Sequence, residues 1–453
     1  MARSTLPAVA DALLERAPFL DLLDGGLAGT DAGGRLVLLG GEAGAGKTAL
    51  LRRFLSEQAE ARVLWGACDA LFTPRALGPL LAIAERTGGA VQELVERGAR
   101  PHDVAAALLD ELRRESPTVV VLEDVHWADE ATLDVLRLVG RRIEGAPALV
   151  VASFRDDELD RGHPLRIVLG ELASSPATRR VALPPLSVDA VRTLAEPHGV
   201  DADELYRTTA GNPFFVTEVL AARSTEIPPT VRDAVLGRVA RLDPAARSLL
   251  EAVAVATPHA ELWLLEELAD DLQRLDECLA SGMLVADDGA VRFRHELARL
   301  AVESSVAPHR ARALHREAVR VLTAPGLDPD AARIVHHAEA AGEGEAVLAF
   351  APAAAERAAR VSAHREESAQ YACALRLAAN APPERRAELL ERYSYACYLS
   401  EQLDDALVAR SEAVELRRAL GDRLREGDSL RWRGRLLWCV GRVAEAERTA
   451  LEA

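Results

Sequence analysis

Apolar positions fall into short dense runs separated by longer stretches with helical spacing. The run from Arg35 to Gly40 ends in glycines, and an amphipathic stretch from Lys47 to about Ala59 follows it. A strand, a loop and a helix are predicted there. Similar short runs recur at Val63–Trp65, Val119–Leu122, Ala148–Phe154 and Val181–Leu183, with helical patterns such as Val104–Arg114 and Ala131–Arg141 between them. Strands alternating with helices predict a parallel sheet covered on both faces.

The pattern changes after Pro184-Pro185, where short helices run through about Ala222 and a second proline pair, Pro228-Pro229, opens the next unit. Helices are expected at Thr230–Arg241 and Pro244–Ala254, the latter capped by Asp243 with Pro244 in its first turn. Met283–Ala286, Asp287-Asp288-Gly289 and Ala290–Phe293 then read as a hairpin with an Asp-Gly turn, so that helices plus hairpin suggest a winged-helix module. From about Ala307 the chain is alanine-rich and helical. Leu403-Asp404-Asp405-Ala406 and Val443-Ala444-Glu445-Ala446 each follow a helix carrying an aromatic residue, Tyr398 or Trp438. Their even spacing points to tetratricopeptide-type (TPR-like) helix pairs, with a non-repeating bundle as the alternative. The sequence stops inside a repeat without a polar cap, so the chain is expected to be the N-terminal part of a longer protein.

Composition narrows the function. Of 453 residues, 49% are hydrophobic and 28% charged, a globular balance sufficient for several cores. The net charge of −17 makes bulk electrostatic binding to nucleic acid a poor reading. No apolar stretch is long enough for a membrane span, and the N-terminus is broken early by Asp11, Glu15 and Arg16, so a cytoplasmic protein is expected. Cys68, Cys278, Cys373, Cys397 and Cys439 are odd in number and widely spaced, which favours buried free thiols over a disulfide framework or a zinc site. Lys47 is the only lysine in the chain. Chemistries that need a second lysine beside a phosphate loop are thereby excluded, protein kinases and Schiff-base enzymes among them.

That lysine sits inside Gly41-Glu42-Ala43-Gly44-Ala45-Gly46-Lys47-Thr48, which fits G-x-x-x-x-G-K-[ST] between a predicted strand and a predicted helix. Gly41, Gly44, Ala45 and Gly46 would turn backbone N–H groups toward phosphate oxygens, Lys47 would add charge at the terminal phosphates, and Thr48 would ligate Mg²⁺. Val119–Leu122 runs into Glu123-Asp124, the expected Walker B pair. Glu123 falls on the metal side and Asp124 on the water side, although the usual order has aspartate first and leaves their division of labour open.

Val125-His126-Trp127-Ala128-Asp129, Ser153-Phe154-Arg155-Asp156-Asp157-Glu158-Leu159, His163-Pro164-Leu165 and Gly211-Asn212-Pro213-Phe214-Phe215 complete a pattern that resembles the STAND-class signalling ATPases, in particular the large ATP-binding LuxR-type (MalT-like) transcriptional regulators. The likeness spans about residues 13–315, and the tail resembles the helical-repeat sensor of those proteins. The resemblance implies four units: a P-loop ATPase domain of AAA type over 1–184, a small helical domain over 185–226, a winged-helix-like domain over 227–306 and TPR-like repeats over 307–453. It also implies that Arg155 approaches the γ-phosphate, that Pro213 packs near the adenine, and that His295 touches the β-phosphate. Plainer roles remain open: Arg155 as a surface arginine, Pro213 as a first-turn proline after an Asn212 cap, His295 as a structural histidine and Trp127 as core packing. The expected activity is a slow, Mg²⁺-dependent ATP switch that self-associates with ATP bound and answers to an inducer or protein at the repeats. DNA would be reached only through a C-terminal domain outside this sequence. An AAA-type motor or loader, and a scaffold that binds nucleotide without hydrolysing it, are the alternatives.

Overall fold

The computed structural model describes residues 13–68, 71, 73–114, 117–221, 230–256, 260–269, 272–287, 289–327, 330–378 and 381–453. Five strands, β1 (Arg35–Gly40), β2 (Arg62–Ala67), β3 (Thr118–Glu123), β4 (Ala148–Ser153) and β5 (Thr178–Ala182), form one parallel sheet in the order β2-β3-β4-β1-β5. Alternation along each strand explains its two faces. Leu36, Leu38, Val120, Leu122, Val150 and Ala152 enter one core, while Val37, Leu39, Val119, Val121, Leu149 and Val151 enter the other. β3 and β4 are buried along their whole length, which is why they read as unbroken apolar runs. This is the parallel-sheet P-loop NTPase fold expected from the sequence, followed by many helices.

Several boundaries differ from expectation. The helix after the phosphate loop is Lys47–Glu57, ending before Ala59. β5 begins earlier than Val181 because its pairing with β1 runs from Thr178 opposite Leu36 to Ala182 opposite Gly40, and an edge strand with mixed burial carries little apolar signal. Helices Gly78–Thr87 and Gly89–Glu96 fill a stretch that the sequence reading left unassigned.

Helices Val188–Ala195, Ala202–Thr209 and Pro213–Ala221 share a small core of their own. Helices Val231–Val239 and Pro244–Val255 follow, with Asp243 accepting from the Ala245 N–H at 2.9 Å. The expected hairpin pairs β7 (Leu284–Asp287) with β8 (Ala290–Phe293), and a short strand that the sequence did not reveal, β6 (Ala260–Glu261), pairs with the other side of β8. Ala222, Pro228-Pro229 and the Asp288 of the turn lie outside the described residues. From Pro308–Leu322 to Val443–Glu452 each helix packs on the next. Helices starting at Pro383 and Arg423, and at Leu403 and Val443, recur at one interval and form the helical-repeat region. Four cysteines are buried thiols as expected, whereas Cys439 is partly exposed because it ends the helix Arg423–Cys439. Among the described residues no helix is long and apolar enough to cross a membrane.

The tail folds back on the sheet domain through helix His364–Leu377, which packs against helix Glu130–Gly140. The buried Glu366 carboxylate accepts the Glu130 N–H at 3.2 Å beside Asp129, itself fully buried as the cap of the Thr132 N–H. An Arg75–Asp330 ion pair at 3.0 Å and Arg357 flank the same contact. Burial, and the negative charge of Asp129, push the Glu366 carboxyl from 4.5 up to about 8. Between those values the folded chain holds a proton that the unfolded chain has released, so this group's contribution to stability is complete below about 4.5 and declines as pH rises to about 8. Glu366→Gln should therefore melt above the parent at pH 8.5, with the advantage shrinking toward pH 5. Melting curves across that range check it, and equal melting temperatures at both ends would refute the buried, protonated carboxyl.

Candidate functional site

In a parallel sheet the carboxyl ends of β1, β3 and β4 share one edge, and the segments leaving them carry Gly41 to Thr48, Asp124 and Arg155, with Glu123 at the end of β3. Gly44 (φ 80°) and Gly46 (φ 91°) both adopt left-handed backbone, which turns the loop ahead of helix Lys47–Glu57. A Cβ on Gly44 would come within 2.7 Å of Asn212 Oδ1 and 2.9 Å of Phe214 Cβ, so the site demands glycine for space as well as for conformation. Gly41 (φ 154°) opens the loop, and the buried Ala45 closes a tight turn through its N–H to the Glu42 carbonyl at 3.1 Å.

Lys47 is buried and donates from Nζ to the Gly41 carbonyl at 2.6 Å and the Glu42 carbonyl at 3.1 Å. Burial lowers its pKa, and Asp124 opposes that shift. The Thr48 hydroxyl donates to a Glu123 carboxylate oxygen. Loss of solvent, then the neighbouring Asp124, raise Glu123 to about 7 against the hydrogen bonds from Thr48 and Trp65. Asp124 is also raised by burial, with Arg155 and Lys47 pulling it down. Its backbone is left-handed at φ 54°, held by an N–H donated to Ser153 Oγ at 3.1 Å, a strained conformation of the kind found at working sites.

Arg155 is buried, pairs with Glu158 and stacks over Trp127 at 4.5 Å. Trp127 is only partly buried and donates from its indole to Glu158 at 3.2 Å, so it lines the site edge as well as packing on the core. His163 Nδ1 accepts the Leu165 N–H at 3.2 Å, which puts its proton on Nε2, facing the His126 carbonyl at 3.0 Å. The His163-Pro164-Leu165 segment thus clips the loop after β4 to the loop after β3. The buried His126 ring is held down to about 2 by burial and by the charges of Arg155 and Lys47, and stays neutral.

Pro213 occupies the first turn of Pro213–Ala221. Contact with the phosphate loop runs through its neighbours: Asn212 Nδ2 donates to the Ala43 carbonyl at 2.8 Å, and the Phe214 N–H to the Gly44 carbonyl at 3.2 Å. Asn212 Oδ1 also caps the helix, accepting the Phe214 and Phe215 N–H groups at 3.1 and 3.2 Å. The His295 ring packs 4.5 Å from that of Phe214, and burial lowers its pKa to about 4, with Arg52 of the loop's own helix contributing. The sequence-selected residues therefore gather around one edge, though Arg155 is turned toward Glu158. Arg16, Asn212 and Glu158 were not singled out as site residues. Arg16 is buried and donates to the Pro184 carbonyl at 2.8 Å and the Ala45 carbonyl at 3.3 Å. Asn212-Pro213 carried a cap signal, whereas nothing local distinguishes Arg16 from the many other arginines.

Residues 12–151 match the AAA ATPase domain family, which implies nucleotide binding. Over 420 residues the chain is 28% identical to an uncharacterised protein of Rhizobium meliloti, covering 75% of this chain and 40% of that protein. The chain thus spans well under half the length of that curated relative. The crystal structure of a STAND protein with a tetratricopeptide repeat sensor from Pyrococcus horikoshii is similar over 94% of this chain and 75% of that one, with 14% identity and a TM-score of 0.51. The Aeropyrum pernix Orc1 protein, solved in complex with DNA, aligns over 66% of this chain and 95% of its own at 17% identity, with a TM-score of 0.34. The Pyrococcus structure shows a shared fold from ATPase sheet to helical tail.

Asn212 links helix cap and phosphate loop, so Asn212→Ala should cost about 1–2 kcal/mol of stability. Urea denaturation measures this, and an unchanged midpoint would mean that the link is idle.

Proposed function

We propose that this chain is the nucleotide-dependent switch, with part of the sensor, of a signal-responsive transcriptional regulator in the cytoplasm. The observation that carries this reading is the continuous contact from Gly44 through Phe214 to His295, which joins the phosphate loop to two following units. Under this reading the units are 1–184, 185–226, 227–306 with a winged-helix role, and 307–453 as a TPR-like sensor.

The groups present fit a Mg²⁺-nucleotide: left-handed glycines open a loop at a helix N-terminus, a lone ammonium is held against its own loop, and a hydroxyl and a carboxylate lie in contact. Gly41, Gly44, Ala45, Gly46 and Lys47 would hold the phosphates of ATP or ADP, and Thr48 and Glu123 the Mg²⁺. Mg²⁺ supplies charge neutralisation at the phosphates when bound. Asp124 accepts the proton of the attacking water, Arg155 stabilises charge once released from Glu158, and Pro213 and His295 complete the nucleotide's surroundings. Hydrolysis is slow and resets the switch. A signal at the repeats favours the ATP-bound, self-associating form, because only a ligand that discriminates between two states shifts their balance. Output through DNA is assigned to a domain outside these residues.

Lys47→Ala should weaken nucleotide binding by about 2–3 kcal/mol, roughly a hundredfold, since no other lysine replaces its charge. An amine-directed reagent should label Lys47 and the chain's N-terminus, with ATP protecting Lys47; equal labelling with and without ATP would refute the site. Asp124→Asn should keep ATP binding and lose turnover by a factor on the order of 10² or more, whereas Glu123→Gln should weaken Mg²⁺-dependent binding. Reversed phenotypes, read by calorimetry and phosphate release, would exchange the two roles. His295→Ala should speed release of a fluorescent ADP and raise the oligomer fraction in ATP; unchanged release and mass would leave His295 a structural residue.

A further inference from the structure

His315 lies on helix Pro308–Leu322, and His336 and His337 lie on the facing helix Ala331–Ala341, at the root of the helical tail. Neither cysteine spacing nor any sequence motif drew attention to them. Their ring centroids form a nearly even triangle, 5.9 Å from His315 to His336 and 5.2 Å along each side to His337. One ring nitrogen from each lies within 4.8 Å of the other two, the one such group of three or more metal-ligating side chains among the described residues. His315 is 7% and His337 0% exposed, and His336 is partly exposed.

A hydrogen bond alone does not complete this cluster. His315 Nδ1 and His337 Nδ1 face each other at 2.9 Å, so one must donate and the other accept. Whichever donates, the buried Nε2 of His337 has no partner. Burial lowers the pKa of all three rings, leaving neutral imidazoles with a lone pair each. Three neutral imidazoles suit a divalent transition ion, and the absence of a carboxylate in the trio disfavours Mg²⁺ and Ca²⁺. Tetrahedral Zn²⁺ bonds of about 2.0–2.1 Å set nitrogens about 3.3 Å apart, inside the 4.8 Å within which one nitrogen of each ring lies. The charges near His336 are Arg299 and Arg333, each paired to glutamates, and Glu339 on its own helix, so the imidazole lone pairs rather than a net local charge would hold the ion.

We propose that His315, His336 and His337 form a binding site for a divalent transition metal of the zinc class, clamping the first two helices of the tail. His336 also lines a cavity of about 330 Å³ shared with Trp127, Arg155 and Glu158 of the loops after β3 and β4 and with Glu296, Arg299 and Glu303 of helix Glu296–Glu303. That cavity gives the ion an entry path and leaves a fourth position for water. It also sets the metal site beside the loop that carries Arg155, so that occupancy stiffens the junction between the tail and the ATPase unit. The site does not depend on nucleotide binding, and its test is independent of it.

The untagged full chain, stripped with a chelator, is titrated with Zn²⁺ against a chromogenic competitor and separately with Co²⁺. One equivalent of Zn²⁺ should bind and raise the melting temperature, and Co²⁺ should show the visible bands of a low-coordinate nitrogen site without a thiolate charge-transfer band. His336→Gln, at the partly exposed member, should reduce affinity at least tenfold while leaving the metal-free melting curve in place; His315→Asn should do the same where it folds. Zn²⁺ binding by the parent no tighter than by His336→Gln, or a thiolate band assigning the metal to cysteine, would overturn the proposal.

Discussion

Arg16, Lys47, Glu123, Asp124 and Arg155 are held mostly out of water at one edge of the sheet, and each depends on protein partners in place of solvent. A buried charge without a partner is expensive, so the loops that carry these groups cannot move independently. Lys47 is satisfied by loop carbonyls, Glu123 by Thr48 and Arg155 by Glu158, while Arg16 meets the carbonyls of Ala45 and Pro184 through Nη2 alone and leaves its buried Nη1 without a partner among the described residues. These are the partners that an incoming polyanion with its cation would exchange for new ones. The site is therefore preorganised and also poised to rearrange, because the same charges have two sets of partners open to them.

Two routes lead from this edge into the rest of the molecule. One passes through Gly44, where the loop packs so closely on Asn212 and Phe214 that no side chain fits, and continues to His295. The other passes through Arg155, Glu158 and Trp127 to the cavity wall formed by Glu296 and His336. A third contact, Glu366 against the cap of Glu130–Gly140, ties the tail to the far end of the β3 loop. The first route is mostly backbone and ring packing and tolerates little displacement. The second is built of ion pairs and a partly open cavity, where groups can exchange partners at lower cost.

Much of this was legible in the residues before any coordinates. Short dense apolar runs at β1, β3 and β4, set between stretches of helical spacing, identified the sheet, and glycine spacing around the sole lysine identified the phosphate loop, because both signals are local and need no partner to be recognised. The edge strand β5 was misplaced and β6 was missed, since short strands with mixed burial take their pairing from neighbours distant in sequence. Arg16 was passed over because only burial distinguishes it.

The sequence by itself determined the central strands and most helices, the order of chemistry along the chain and the position of the one lysine. Which polar groups meet was decided by tertiary structure alone: that Arg155 turns to Glu158, that Asn212 reaches back to Ala43, and that His315 meets His336 and His337 across two helices. The physical reason is that local propensity and periodicity act within a few residues, whereas removal of a polar group from water is settled by whatever partner the fold delivers. In this chain those partners lie as near as three residues away, as Glu158 does to Arg155, and as far as 236, as Glu130 does to Glu366.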